Sequence, residues 1–433
     1  MSTRGEHLVR ADRRFATGGG MLARVVSPAF SRVLDAVDRR LDRGSLDATV
    51  PGGSRHRMGF RSPGPAAVVQ ISSWMALLRL ATSGSVGWYK AWTLGEWTSP
   101  DPVAIFELFS ANAVSLGNVG RAKGLFRWIN LAAHRLRDNA PHMARENIRA
   151  HYDLGNDFYS AWLDQTMTYS CARFSTLPFV PSEVEGRVST SLDTNGVSLE
   201  QAQLNKIHTL LDRLDLKPGQ RLLEIGCGWG SLAIEAAKRG ADVVGLTLSK
   251  EQKAWAEARI AAAGLSDRIE IRLQDYRDAS ERFDAVASVE MVEAVGERWW
   301  GAYLECIARN LPRGGRAALQ YIAMDHRLFD RYARSADFIQ TYIFPGGMLL
   351  DEPRFEALAR ERGLDWQGRA AFGLDYAETL KHWRERYDAA VARGGLSAFG
   401  EPFHDLWRYY LMYCEGGFRG GAIDVAQVTM VKS

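Results

Sequence analysis

Three glycines at alternate positions close an apolar run in Leu222-Leu-Glu-Ile-Gly-Cys-Gly-Trp-Gly230. Gly226, Gly228 and Gly230 let the chain turn tightly against a ligand before a helix begins, since glycine reaches backbone angles closed to other residues. An acid, Glu224, stands at the end of the run, where it can meet a cation. A dinucleotide site would space its glycines GxGxxG and carry an acid about 20 residues on, at the tip of the next strand. Here the spacing is GxGxG, and the next strand ends Val243-Val-Gly-Leu-Thr247 without an acid. Ser249 and Gln252 then have the spacing of a capping box, which starts a helix and also offers hydroxyl and amide groups to a sugar. Gln274-Asp275-Tyr276 brings an acid and an aromatic ring, a pair able to hydrogen-bond and stack on a purine base.

These residues need a scaffold that gathers strand ends, and from Gln220 onward the pattern supplies one. Strands at 221–225, 242–246 and 269–273 alternate with helices at 230–239 and 250–263; a strand at 283–288, a helix at 298–310 and a strand at 316–322 follow. Such alternation specifies a parallel sheet covered by helices on both faces, with ligands at the carboxyl ends of its strands. After an interruption over 323–353 come a helix at 354–362, a strand near 364–370, helices at 376–392 and 402–418, and a last strand at 422–431. They predict a sheet closed by an antiparallel pair, with a substrate cap from 323–353 and 376–418. The front reads differently: helix 28–41, a hairpin over 46–60 around Pro51-Gly-Gly-Ser54, strand 66–72, helix 74–82, strand 86–96 and helix 102–116. The expected organisation is a small α+β domain over 1–120, a helical connector over 121–150 and a large α/β domain over 151–433.

At 433 residues the chain exceeds the ~250–300 at which a single core splits. It lacks an apolar run of the ~18 residues a membrane span needs and an export signal, which predicts a soluble, cytosolic protein. Cys171, Cys227, Cys306 and Cys414 have neither disulfide-framework nor zinc spacing, so no metal is expected. A net charge of +3 is too small to imply nucleic acid. Its distribution is uneven, however: twelve arginines between Arg4 and Arg61 face six acidic residues. They form either a solvated helical face with a loose tail or a contact with an anionic membrane.

Glu224 just ahead of the first glycine resembles motif I of class I methyltransferases, whose acid holds the ammonium group of S-adenosylmethionine. Four further stretches are His151-Tyr-Asp-Leu-Gly-Asn-Asp-Phe-Tyr159, Met167-Thr-Tyr-Ser-Cys171, Thr341-Tyr-Ile-Phe-Pro-Gly-Gly347 and Phe372-Gly-Leu-Asp-Tyr376. They are similar to the cyclopropane fatty acid synthase family, which includes mycolic acid methyltransferases and actinobacterial and plant relatives. The resemblance covers about residues 140–430. It implies an α/β class I methyltransferase fold, Rossmann-like, with a seven-stranded and mostly parallel sheet. The N-terminal α+β unit resembles the sterol-carrier-type, lipid-binding domain of the longer bacterial members. By the same resemblance Tyr169, Ser170, Gly226, Thr247, Gln252 and Asp275 line the cofactor pocket. A bicarbonate ion is implied too, held by Cys171, Glu293, Gln320, the Ile322 backbone amide and Tyr376. Cyclopropane-forming bacterial members read Glu-His-Val-Gly where this chain has Glu293-Ala294-Val-Gly296, and histidine where it has Gln320. In both it resembles the branch with plant enzymes and actinobacterial synthases of methyl-branched fatty acids.

The implied reaction carries a methyl group to the double bond of an unsaturated acyl chain in a phospholipid. An alkene is a poor nucleophile, so the step demands close, dry positioning. It leaves a carbocation that ring faces can stabilise, with Tyr152, Phe158, Tyr159, Trp162, Tyr169, Phe174, Tyr342, Phe344 and Tyr376 as candidates. Loss of a proton, helped by the bicarbonate, then gives the expected cyclopropane or, alternatively, a methylene or methyl branch. An inactive lipid-binding protein on the same fold is the rival from another class. The expected setting is peripheral, on the inner face of the membrane. A homodimer and, for a methylene product, a reductase are further partners this reading admits.

Overall fold

The computed structural model describes residues 4–9, 27–117, 154–174 and 196–433. The expected connector over 121–150 lies outside them. Two compact units emerge: the first takes 1–137, 327–345 and 397–423, the second 138–326, 346–396 and 424–433. The chain thus returns twice to its first unit, where the sequence reading had placed every residue after 151 in one domain.

After a short helical turn at Glu6–Val9, the first unit continues with helix α1 (Ser27–Asp38) and holds a four-stranded sheet, β1 (Ser45–Thr49), β2 (Arg55–Gly59), β3 (Ala66–Ile71) and β4 (Trp97–Thr98), in the order β2-β1-β3-β4. The β1–β2 hairpin turns through Gly52 and Gly53 at φ 97° and 85°, backbone angles that glycine adopts without strain. The expected strand over 86–96 is helical instead. Helix α2 (Met75–Thr93) runs through it, broken at Gly84 by φ 60° and ψ −138°. Val86 and Tyr89 are buried three residues apart, and Tyr89 packs against Phe338, Tyr342 and Tyr409 at 5.0, 5.0 and 4.9 Å. This packing overrides the strand preference of β-branched and aromatic side chains. Helix α3 (Pro102–Ala111) lies on a late helix, Glu401–Gly420, at glycine positions. A Cβ at Gly416 would stand 2.4 Å from Phe106 Cβ.

The second unit is built on seven strands: β5 (Arg221–Ile225), β6 (Asp242–Thr247), β7 (Ile269–Leu273), β8 (Ala285–Val289), β9 (Arg316–Met324), β10 (Leu364–Ala371) and β11 (Ile423–Lys432). Their order is β10-β11-β9-β8-β5-β6-β7. Pairs β5–β6, β6–β7, β5–β8 and β8–β9 are parallel and β10–β11 antiparallel, the mostly parallel sheet the alternation predicts. Helices α4 (Leu199–Leu214), α5 (Ser231–Lys238) and α6 (Lys250–Ala262) supply Leu210, Leu214, Leu232, Ala236, Ala256 and Ile260 to a core shared with Leu222, Val243, Ile271, Ala285 and Ala318. Burial on both faces explains why the apolar residues Leu222, Leu223 and Ile225 of β5 and Ala285, Val286 and Ala287 of β8 do not alternate with exposed polar ones.

Candidate active site

Strand order reverses between β5 and β8, and a crevice outside the carboxyl ends of such a pair is where sheets of this kind take ligands. A cleft enclosing about 1250 Å³, solvent at its mouth included, opens there. Tyr169, Ser170, Glu224, Gly226, Gly228, Thr247, Gln252, Asp275 and Tyr276 all line it. Gly230 and Ser249 stand behind this surface. A Cβ at Gly230 would meet Ala256 Cβ at 3.1 Å, so this glycine lets α5 approach α6. Ser249 Oγ accepts the Gln252 N–H at 3.2 Å, the capping contact its spacing predicts. Thr247 Oγ1 donates to Gln252 Oε1 at 2.8 Å and fixes the direction of that amide. The Asp275 carboxylate accepts from the N–H, Nε and Nη2 of Arg277 at 3.0, 2.9 and 2.7 Å.

Glu224 is buried, and its Oε2 has no hydrogen-bond partner among the described residues. Burial pushes its carboxyl up to about 8, against the pull of Lys206. Gly228, at φ 52°, has nothing within 4 Å of where a Cβ would lie. An orphaned carboxylate oxygen beside bare, turning backbone suits the ammonium-bearing end of S-adenosylmethionine. Glu224 would hold that ammonium, and the cofactor supplies an activated methyl group when bound. Glu224→Gln keeps the shape and loses the charge. A hydrogen bond to a charged group is worth ~1.5–3 kcal/mol, so calorimetry should show S-adenosylmethionine affinity falling at least ~10-fold; unchanged affinity would remove Glu224 from this role.

One cleft-lining residue connects this surface to the other expected site residues. Glu290 follows β8 with its backbone at φ 48°. Its Oε1 accepts from the Cys171 N–H at 2.9 Å and from Gln320 Nε2 at 2.7 Å, and its Oε2 from the Tyr376 hydroxyl at 2.6 Å. Gln427 Nε2 donates to Gln320 Oε1 at 3.0 Å, which turns the Gln320 amide so that its NH₂ faces Glu290. Cys171, Gln320 and Tyr376 therefore meet around one carboxylate. The Ile322 N–H donates to a different one, Glu293 Oε1, while Glu293 Oε2 is buried without a partner among the described residues. Burial and the neighbouring Glu290 charge push the Glu293 carboxyl to about 8. The Cys171 thiol donates to Ala172 O at 3.0 Å and is pushed up by burial, so only its backbone N–H serves the cluster. Lys206, also on the cleft wall, donates from Nζ to Ser170 Oγ at 2.7 Å. Its burial lowers it to about 8, against the charges of Glu290, Cys171, Asp164 and Glu224.

Among the rings proposed to face a cation, Tyr169 lines the cleft and lies 5.2 Å from Trp383, itself 6.1 Å from Tyr376. Phe158, Tyr159 and Trp162 are closed into the core, and Phe174 stacks on His382. Tyr342 and Phe344 pack within the first unit, against Tyr89 and Tyr410. Tyr152 lies outside the described residues.

The doubly wound sheet, the glycine turn leaving β5 and the buried acid at its tip define a class I methyltransferase that uses S-adenosylmethionine as methyl donor. Residues 139–428 match the family model described as mycolic acid cyclopropane synthetase, and the chain belongs to that family. It is 38% identical over 364 residues to a tuberculostearic acid methyltransferase of Mycobacterium tuberculosis, covering 82% of this chain and 80% of that one. It is 36% identical over 284 residues to the cyclopropane-fatty-acyl-phospholipid synthase of Escherichia coli, covering 65% and 66%. Among solved structures, a mycolic acid cyclopropane synthase complexed with SAH and CTAB superposes with a TM-score of 0.59 at 31% identity, covering 66% of this chain and 98% of that one.

Proposed function

We propose that the protein methylates a carbon of the double bond in an unsaturated fatty acyl chain carried by a phospholipid. The π pair of the alkene forms the new bond to the methyl carbon as the S–CH₃ bond breaks, and the neighbouring carbon becomes a cation. The observation that carries this reading is the carboxylate cluster around Glu290 on the wall of the cofactor cleft. An alkene needs no base before it attacks, but the cation it becomes needs one afterwards. Tyr169 and Tyr376 offer ring faces nearby.

Removal of a proton from the added methyl closes a cyclopropane. If a hydride first moves from the methylated carbon to the cation, removal of the same proton leaves a methylene branch. The second ending is favoured by the 38% identity, over four-fifths of both chains, to a tuberculostearic acid methyltransferase, since tuberculostearic acid is a methyl-branched fatty acid. A methylene product becomes a saturated branch only through a separate reductase.

Among the described residues no helix is long and apolar enough to cross a membrane, so this reading places the enzyme on the bilayer surface. Arg55 and Arg57 are exposed on β2, with Arg57 also paired to Asp47 at 3.1 Å. Lipids extracted from a bacterial host expressing the chain should contain acyl chains one carbon heavier than the unsaturated precursor. Mass spectrometry with ring and methylene isomers separated should show the methylene. A dominant ring would reverse the choice of ending, and no mass gain on any unsaturated lipid would overturn the reading.

A further inference from the structure

We infer that Glu290 is itself the base of the reaction: its side chain occupies the place of the free bicarbonate that the family resemblance implies, so this enzyme works without that ion. The inference rests on the proposed methylation of an alkene and names the group that ends it.

Three of the five groups expected to hold the anion, the Cys171 N–H, the Gln320 amide and the Tyr376 hydroxyl, donate to the two oxygens of Glu290 at 2.6–2.9 Å. A fourth, the Ile322 N–H, is taken by the fifth, Glu293. A separate bicarbonate would find its donors spent and two buried carboxyl groups against it, so it does not fit. The tethered carboxylate, in contrast, has three donors that hold its ionised form and one lone pair left, on Oε2. It also lines the same cleft as Glu224 and Gly228, where the methyl group is delivered.

The backbone gives an independent sign. Glu290 is one of four non-glycine residues with positive φ among those described. A left-handed conformation costs an ordinary residue ~1–2 kcal/mol, and such strain persists where a side chain is needed at that place. Glycine would sit there without strain, but it would bring no carboxylate.

In the step itself, a C–H bond of the cationic lipid breaks, its electron pair closes the ring or the C=C bond, and the proton moves to a Glu290 oxygen. The proton leaves to solvent between turnovers. Burial raises the Glu290 carboxyl above the usual carboxylate range, against the three hydrogen bonds and Lys206. That makes it a stronger base than an exposed glutamate without taking away its charge-holding partners.

The test uses the full chain, S-adenosylmethionine and vesicles of dioleoyl phosphatidylglycerol, in buffer stripped of carbon dioxide or supplied with bicarbonate. Wild-type turnover should agree within about twofold in the two buffers. Glu290→Gln keeps the shape and has no basicity; it should lose at least ~100-fold in turnover in both, the scale of general-base catalysis. Glu290→Gly relaxes the backbone and frees the Cys171, Gln320 and Tyr376 donors. It should be as inactive without bicarbonate and recover at least ~10-fold with it. S-adenosylmethionine affinity, measured by calorimetry, should stay within a few-fold in both variants, which separates loss of the base from loss of the fold. A wild type that needs bicarbonate, or a Glu290→Gln protein turning over like wild type, overturns the inference. A wild type that methylates none of these lipids in either buffer strikes the proposed reaction instead.

Discussion

Gly228→Val should abolish S-adenosylmethionine binding, lowering affinity more than ~100-fold, while the protein remains folded. Valine must adopt φ near 52° at this position, a left-handed conformation that costs ~1–2 kcal/mol. The structure offers no other penalty, because nothing lies within 4 Å of the new Cβ. The added side chain therefore projects into the cleft and meets only what binds there. A cofactor that must lie against the turn loses that contact and is pushed from Glu224 as well. Gly245 is the useful contrast: a Cβ there would stand 2.9 Å from Ile271 Cδ1 and 3.0 Å from Cys227 Cβ. Substitution at Gly245 should damage the core before it touches the ligand. Calorimetry and thermal unfolding on both variants separate the two effects. Unchanged affinity in Gly228→Val would dissolve the cofactor assignment at this turn.

What the sequence made legible follows the length scale of the forces involved. The alternation from Gln220 onward is local patterning, and it produced the strands of the large sheet in their right places. The turn at 226–230 was equally readable, since glycine at alternate positions after a strand has few other uses. The segment 86–96 was not, because Val86, Tyr89 and Trp92 have strand-like side chains. Only the rings that come to pack on Tyr89 from residues 338, 342 and 409 make helix the better choice. The same limit governs the acids near β8. Glu290 and Glu293 lie three residues apart in one string, and the family pattern points to Glu293. The left-handed backbone at Glu290, which turns its carboxylate onto Cys171, Gln320 and Tyr376, is a property of the fold.

Lys206 is different, because a signal for it was present. On α4 the buried positions are Leu199, Ala202, Gln203, Lys206, Ile207, Leu210, Leu211 and Leu214, the i, i+3, i+4 stripe of a helix facing a core. A lysine in phase with that stripe is a buried charge that the site must have a use for. Gln203, on the same stripe, donates to Ser170 O at 2.9 Å and Thr168 O at 3.2 Å. Residues that look like interruptions of an amphipathic pattern are here the ones that hold the segment carrying Tyr169, Ser170 and Cys171.

Lys206→Met should therefore cut turnover at pH 7 by ~10–100-fold and lower stability as well, because it removes one partner from a buried set of charges. Two large effects oppose each other in the folded protein. Burial disfavours the ammonium enough to lower Lys206 from 10.5 to about 8, so methionine removes a desolvation cost. The charge it removes also lowers the carboxyl of Glu224 and, to a lesser degree, that of Glu290. For the fold they offset only in part: removing one partner of a buried set of charges is destabilising, and the carboxyls left behind limit that cost by taking up a proton. For the reaction they do not, because both carboxylates must be ionised, one to hold an ammonium and one to take a proton. Losing that charge raises both carboxyls, and at neutral pH the rise appears as a larger fraction of enzyme left protonated. The sign is definite: a raised carboxyl is protonated below its pKa, so the variant's activity should climb as pH increases and approach wild type in alkaline buffer. The wild-type profile should also rise, but with a lower midpoint, because the Lys206 charge lowers both carboxyls. Parallel profiles in the two proteins, or a variant as active as wild type at pH 7, would show that Lys206 acts only as packing.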